Sequence, residues 1–218
     1  MHRFMTLEGD EGFPLVLLHG MMGAAENWEG MYPHLPEQCR AIALTIPFFN
    51  DEAPLDTVPK ITDYARTYLN HKGLDRFILG GNSLGGHVSL HLALEMPERV
   101  AGLVLTGSSG LFEREVTRPR GANPSREWIR GTIRGIFYDE SMVTQELIDD
   151  ACRVIYTRKY TRTLISIAKS AKRDNLAEKL SQVRCPVLLV WGRQDDITPP
   201  DVAEEFHSLL PNSELVWL

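Results

Sequence analysis

The sequence predicts an α/β fold: a doubly wound, mostly parallel sheet with a helical cap inserted between two of its strands. Three observations carry this prediction. Six short apolar runs recur along the 218 residues without strict polar alternation, the pattern of strands buried on both faces. Helical patterns separate several of them, which implies right-handed crossovers. The alternation then stops between Leu111 and Ser181, where three helical patterns occur and no convincing strand does.

The elements follow in order. "FPLVLLHG" (Phe13 to Gly20) is an apolar strand ending in a polar turn, and "RAIALTIP" (Arg40 to Pro47) is the next strand. Ile61 to His71 reads as a helix, and "RFILGG" (Arg76 to Gly81) as the third strand. Leu84 to Met96 is apolar on most sides and stopped by Pro97, so it is a buried helix. "VAGLVLTGS" (Val100 to Ser108) is a strand. In the insertion, Arg126 to Phe137 sets Ile129, Ile133 and Phe137 at four-residue steps. Thr144 to Tyr156 puts Leu147, Ile148, Ala151 and Ile155 on one side, and Tyr160 to Ala171 is a third helical stretch. "CPVLLVWG" (Cys185 to Gly192) resumes the sheet. Val202 to Leu210 is a helix whose first half carries Asp201, Glu204 and Glu205, as the helix dipole favours, and "ELVWL" (Glu214 to Leu218) is the last strand. The expected organisation is a discontinuous core, 1–110 with 182–218, and a cap over 111–181.

Composition limits the partners. At 43% hydrophobic and 24% charged residues the chain reads as globular. A net charge of -6 argues against nucleic acid. No apolar run is long enough to span a bilayer, and "MHRFMTLEGDEG" is too polar for a signal peptide, so no membrane partner and a cytoplasmic location are expected. Cys39, Cys152 and Cys185 have neither disulfide nor metal-ligand spacing. With no phosphate-binding glycine fingerprint and no metal cluster, no cofactor is expected, and the ligand is a small molecule.

The chemistry centres on "GGNSLGGH" (Gly80 to His87). Gly81-Asn82-Ser83-Leu84-Gly85 follows a strand and opens a helix. In that setting flanking glycines allow a tight turn that lifts a serine hydroxyl above the sheet edge. The N–H of Leu84 then sits at a helix N-terminus, facing developing negative charge. "LLHGMMG" offers a second donor, the N–H of Met21, although a plain strand-end turn accounts for it equally well on its own. "WGRQDDITPP" places Asp195 and Asp196 just past a strand's carboxyl end, where such sheets bind ligands, and Asp195 is favoured as the acid.

These segments together resemble the α/β-hydrolase superfamily from about Phe13 onward. The order serine then aspartate is that family's order. Within it, "GNS" (Gly81 to Ser83) and "FYDESMVTQEL" (Phe137 to Leu147) are most similar to the meta-cleavage-product hydrolases, which cut carbon–carbon bonds in dienoates. The resemblance implies a serine hydrolase of a small ester or dienoate, with Ser83 as nucleophile, Asp195 as acid, and the N–H groups of Met21 and Leu84 as oxyanion hole. Asn82, Phe48 and Arg153 would line the substrate pocket. Two features depart from that branch. The turn is "HGMMGA" rather than a "HGGGPG"-like one, and the position of its carboxylate-holding cap arginine aligns with Ala151, two residues from Arg153.

The resemblance also puts the base, a histidine, after the last strand, and the sequence stops at Leu218 within that strand. The expected base is therefore outside the 218 residues, and a shortfall of covering helix would favour a homodimer. Of the seven histidines, His87 stands one helical turn from Ser83 and could lean toward it, although the family often has a non-catalytic histidine there. His19 belongs to the oxyanion turn, His207 to a boundary face, and His2, His34, His71 and His91 have no constellation around them. Arg126, Arg130 and Arg134 read as a solvated helix face before they read as an anion-attracting stripe. Trp28, Phe48 and Phe49 follow strand ends, as pocket aromatics or as plain core. A catalytically incomplete ligand-binding or signalling protein of the same fold is the alternative.

Overall fold

The computed structural model describes residues 5–8, 11–50, 52–112 and 124–218. In chain order the elements are β1 (Met5–Glu8), β2 (Phe13–Leu18), a 3-10 helix (Ala25–His34), β3 (Cys39–Thr45), α1 (Val58–His71), β4 (Phe77–Asn82), α2 (Leu84–Glu95) and β5 (Val100–Thr106). There follow α3 (Arg126–Arg134), α4 (Gln145–Tyr156), α5 (Arg158–Arg173), β6 (Val187–Trp191), α6 (Pro200–Leu209) and β7 (Ser213–Trp217). None of the described helices is long and apolar enough to cross a membrane.

The seven strands form one sheet in the order β1-β3-β2-β4-β5-β6-β7. Strands β2 to β7 run parallel, and β1 lies antiparallel on β3, with Met5 opposite Thr45. The six expected strands are all present. The edge strand β1 and the 3-10 helix were not expected, because MTLE is a short polar-flanked run and Ala25–His34 contains Gly30 and Pro33, which break any helical period.

Side-chain alternation divides the core. Val16, Leu18, Ile42 and Leu44 face α1 and α2, while Leu15, Leu17, Ala41 and Ala43 face the 3-10 helix and Trp28. Each such leucine or isoleucine contributes about 1.5–3 kcal/mol on burial. The chain leaves β2 toward β3 on one side and returns as β4 on the other. The crevice at the carboxyl ends of β2 and β4 is thus a topological switch point, where open parallel sheets bind ligands.

Between β5 and β6 the described residues hold three α-helices and no strand. α3 and α4 share a cluster of their own, Ile129, Ile133, Ile148, Ala151 and Cys152. α5 instead sends Ile167 and Ala171 into the main core, and its Ser170 Oγ accepts from the N–H of Val58 at 3.0 Å, fastening it to the start of α1.

Candidate active site

At the end of β4 the backbone turns sharply into α2 through Ser83, whose φ of 50° and ψ of -117° lie where non-glycine residues are strained. Such a conformation costs about 1–3 kcal/mol and persists only when its surroundings fix it. Here the N–H of Ser83 donates to Thr106 O at 3.1 Å, and its carbonyl accepts from Gly86 at 2.9 Å, His87 at 3.2 Å and Ser109 at 3.1 Å. The glycines are obligatory for packing. A Cβ on Gly81 would sit 2.4 Å from the carbonyl carbon of Gly85, and one on Gly85 would sit 2.0 Å from Leu18 O. The turn is thereby pressed against the end of β2.

The loop after β2 lies alongside. A Cβ on Gly20 would approach Asn82 Oδ1 to 2.9 Å and Ser83 Cβ to 3.4 Å. Among the described residues no hydrogen-bond acceptor is engaged by the N–H of Met21 or of Leu84. His19, 1% exposed, fixes this loop: its Nε2 accepts from the N–H of Ile46 at 2.8 Å, which leaves Nδ1–H to donate to Gly20 O at 2.8 Å. Burial holds its pKa below the usual histidine value, so the ring is neutral. Phe48 meets the His19 ring edge-on at 5.5 Å. Beside them opens a cavity of about 440 Å³ lined by Met22, Gly23, Thr45, Ile46, Pro47, Phe48, Phe49 and Asn50. Phe49 stacks on Tyr160 of α5 at 4.5 Å, joining this wall to the helical segment. Asn82 Nδ2 donates to Thr106 O at 3.1 Å, so Asn82 braces the turn against β5.

Asp195 stands in the loop after β6. Its Oδ1 accepts from the N–H groups of Ile197 at 2.8 Å and Thr198 at 2.9 Å, and its Oδ2 from Thr198 Oγ1 at 3.0 Å. Trp191 Nε1 donates to Thr198 O at 2.8 Å and anchors the loop from beneath. A Cβ on Gly107 would lie 3.1 Å from Asp195 Oδ2 and 3.9 Å from Asn82 Nδ2, so the carboxylate borders the same sheet edge as the elbow. Asp196 is exposed. The supports Thr106 and Thr198 were not singled out in the sequence; for Thr198, its place three residues after Asp195 was the available signal.

Other expectations change. His87 does not turn to Ser83: its ring is fully buried, stacks on that of His91 one helical turn further on at 5.3 Å and approaches Asp174. His91, expected to stand alone, pairs with Asp174 at 2.6 Å. His207 bonds Ser213, His34 and His71 are exposed, and His2 lies outside the described residues. Among the described residues, no imidazole hydrogen-bonds Ser83 or Asp195.

Arg153 does not line the cavity. It is 69% exposed and pairs with Asp150 at 2.5 Å, because Ala151 takes the buried face of α4 and two further residues turn a helix by about 200°. Trp28 packs behind the sheet with Leu15 and Leu17, away from the cavity. Arg126, Arg130 and Arg134 are occupied with Asp149, Glu127 and Glu140 respectively.

Comparison with known proteins gives a consistent picture. The profile of a family described as alpha/beta hydrolase fold matches residues 14–151. A pimeloyl-[acyl-carrier protein] methyl ester esterase of Nitrosomonas europaea is 30% identical over 94% of this chain and 86% of its own. The crystal structure of an alpha/beta hydrolase from the metagenome of lagoon sediments of Mar Chica, Morocco, is 32% identical, with a TM-score of 0.79 over 100% of this chain and 85% of its own. The 2-hydroxy-6-oxo-6-phenylhexa-2,4-dienoate hydrolase of a Rhodococcus strain is 27% identical, with a TM-score of 0.82 over 99% and 86%.

Proposed function

Since this chain belongs to the α/β-hydrolase fold family and its relatives include hydrolases, we propose that it is a serine hydrolase of small carboxylic esters with Ser83 as nucleophile. The observation that carries this reading is the strained backbone of Ser83, φ 50° and ψ -117°, at the switch point of the sheet. Strain held by four backbone hydrogen bonds at a ligand crevice is a feature of sites that position a reacting atom.

In this reading Ser83 Oγ attacks the ester carbonyl and gives its proton to a base. The carbonyl oxygen becomes an oxyanion held by the N–H groups of Met21 and Leu84. Collapse expels the alcohol, which takes the proton back from the base, and leaves an acyl-serine; water, giving its proton to the same base, then attacks the acyl carbon and releases the acid and Ser83 Oγ, which regains the proton. Asp195 orients the imidazole of the base. The helices α3 and α4 form a cap over the crevice, and Phe48, Asn82 and the cavity wall receive the acyl part. The wall, mostly apolar, suits an uncharged chain.

None of the described histidines is in place to serve as the base. The 218-residue chain is therefore expected to act slowly, since an oxyanion hole and binding alone leave about 10³–10⁴ over the rate in water. Two measurements test this. A fluorophosphonate probe should label Ser83 slowly. Added imidazole should raise p-nitrophenyl ester hydrolysis by the wild type well above the rate of protein-free imidazole buffer, and should give the Ser83→Ala chain no increase beyond that background. Absence of both effects would leave a ligand-binding protein of this fold.

A second reading, carbon–carbon bond hydrolysis of a dienoate, draws on the similarity to the dienoate hydrolase. Offering a dienoate ring-fission product and short esters to one preparation distinguishes the two.

A further inference from the structure

Helix α2 carries a second cluster one turn beyond Ser83. His87 and His91 are four residues apart, so they share a face of the helix, and their rings stack with centroids 5.3 Å apart and planes 17° apart. Asp174, the C-cap of α5, arrives from the far end of the helical segment. Its Oδ2 lies 2.6 Å from His91 Nε2 and 3.4 Å from His87 Nε2. One ligand atom from each of the three residues can be chosen so that all lie within 4.8 Å of one another.

The packing leaves one group unexplained. His87 is 0% exposed, yet neither of its ring nitrogens has a hydrogen-bond partner, and the 3.4 Å approach to Asp174 is off line. A buried polar group without a partner costs about 1–3 kcal/mol, and such groups are rare in folded proteins. An ion between the three residues would satisfy Nε2.

We propose that His87, His91 and Asp174 form a binding site for a divalent transition-metal ion of the zinc class, which clamps the end of α5 to α2. Zinc holds nitrogen and oxygen ligands at about 2.0–2.2 Å in a tetrahedron, which sets ligand atoms about 3.3 Å apart. The His87–Asp174 separation already matches this. The His91–Asp174 contact would open by less than about 1 Å. Two imidazoles and one carboxylate select zinc, cobalt or nickel over magnesium or calcium. His91 and Asp174 are 17% and 22% exposed, enough for an ion to enter and keep a water as fourth ligand. Lys179, which opposes a positive charge at His91, is exposed and can turn into solvent. Because the His87 N–H also bonds Ser83 O, the clamp would steady the helix that carries the elbow.

The test uses the 218-residue chain, free of any histidine tag and stripped with chelator. Titration with zinc chloride should show one ion per chain, and cobalt(II) should develop visible bands of a four-coordinate nitrogen–oxygen site. His91→Gln and Asp174→Asn should each weaken zinc binding by more than about 100-fold, beyond what outer partners of a metal site cost, and should abolish the cobalt bands. Wild-type chain that binds neither ion, or binding that both variants leave unchanged, overturns the proposal. If the variants fail to fold, the wild-type cobalt spectrum and stoichiometry decide alone, and their absence overturns it equally.

Discussion

The elbow at the end of β4 and the helices α3 and α4 between β5 and β6 are built by opposite means. At the elbow, backbone atoms do the holding. Ser83 makes four main-chain hydrogen bonds, and a Cβ on Gly85 would meet Leu18 O at 2.0 Å. In α3 and α4, side chains do it, through a small apolar cluster and exposed ion pairs such as Arg153–Asp150. A backbone-built site fixes its reacting atom closely and tolerates little change. A segment built from side chains on amphipathic helices can be altered at its surface without effect on its buried cluster.

The largest expected effect breaks the elbow's chemistry while sparing its geometry. Ser83→Ala should lower kcat for ester hydrolysis by at least about 10³-fold in a preparation supplied with imidazole. Its unfolding free energy should stay near the wild-type value, because alanine suffers the same strain. Ser83→Gly should also be inactive and yet be more stable by about 1 kcal/mol, since glycine accepts φ 50° freely. Urea unfolding and an ester assay on the two variants check both halves. Activity within about 10-fold of wild type in either variant would remove Ser83 from its role.

A pair of glycines sharpens the contrast. Gly85→Ala drives a methyl into a strand carbonyl and should destabilise by about 3 kcal/mol or more. Gly131, inside α3, has open space within 4 Å of the point where a methyl would stand, and Gly131→Ala should stabilise by up to about 1 kcal/mol. Equal effects at the two sites, measured by denaturant titration, would contradict the distinction.

The same contrast explains what could be read from the sequence. Strands β2 to β6 were legible because apolar runs largely buried on both faces have no alternative environment, and β7 was legible by its apolar run although Glu214 and Val216 are exposed. The tight turn at Ser83 and the loop after β6 that carries Asp195 were legible because Gly81, Gly85 and the run after Trp191 fix local backbone geometry. β1 was not, since four residues on a sheet edge take their structure from β3. Asp174 was invisible too: it reaches His91 from 83 residues away, through the packing of α5 on the core. The direction of Arg153 depended on which face of α4 was buried, and only Ala151 in its cluster settles that.

A pH effect of intermediate size belongs to the oxyanion loop. His19 is buried neutral, with its pKa lowered from 6.5. Below about pH 6.5 the unfolded chain binds a proton that the folded one resists, so stability present above that pH is lost as pH falls toward the folded value. The slope from this one group is at most about 1.4 kcal/mol per pH unit. His91 shifts in the same direction, so the informative quantity is the difference between wild type and His19→Asn. The variant should be less stable at pH 8, having lost a ring that bridges Ile46 and Gly20, and should show the shallower acid slope. Identical slopes would mean that folding does not shift the protonation of His19.

The smallest expected effect lies on the helical side. Arg153→Ala removes a side chain that is 69% exposed and pairs with Asp150, three residues before it on the same helix face. Exposed pairs of this kind add little, because solvent screens them and ordering two long side chains opposes them. Ester turnover should therefore change by less than about 2-fold, far below any change at the elbow. The same variant also separates the two substrate readings. A dienoate carries a carboxylate that needs a cation, and if Arg153 swings inward to supply it, carbon–carbon turnover should fall at least about 10-fold while ester turnover holds. Measured side by side, unchanged rates on both substrates leave the crevice without that cation and favour the uncharged ester. A selective loss on the dienoate would show that the wall of the crevice, unlike its floor, rearranges when a charged substrate binds.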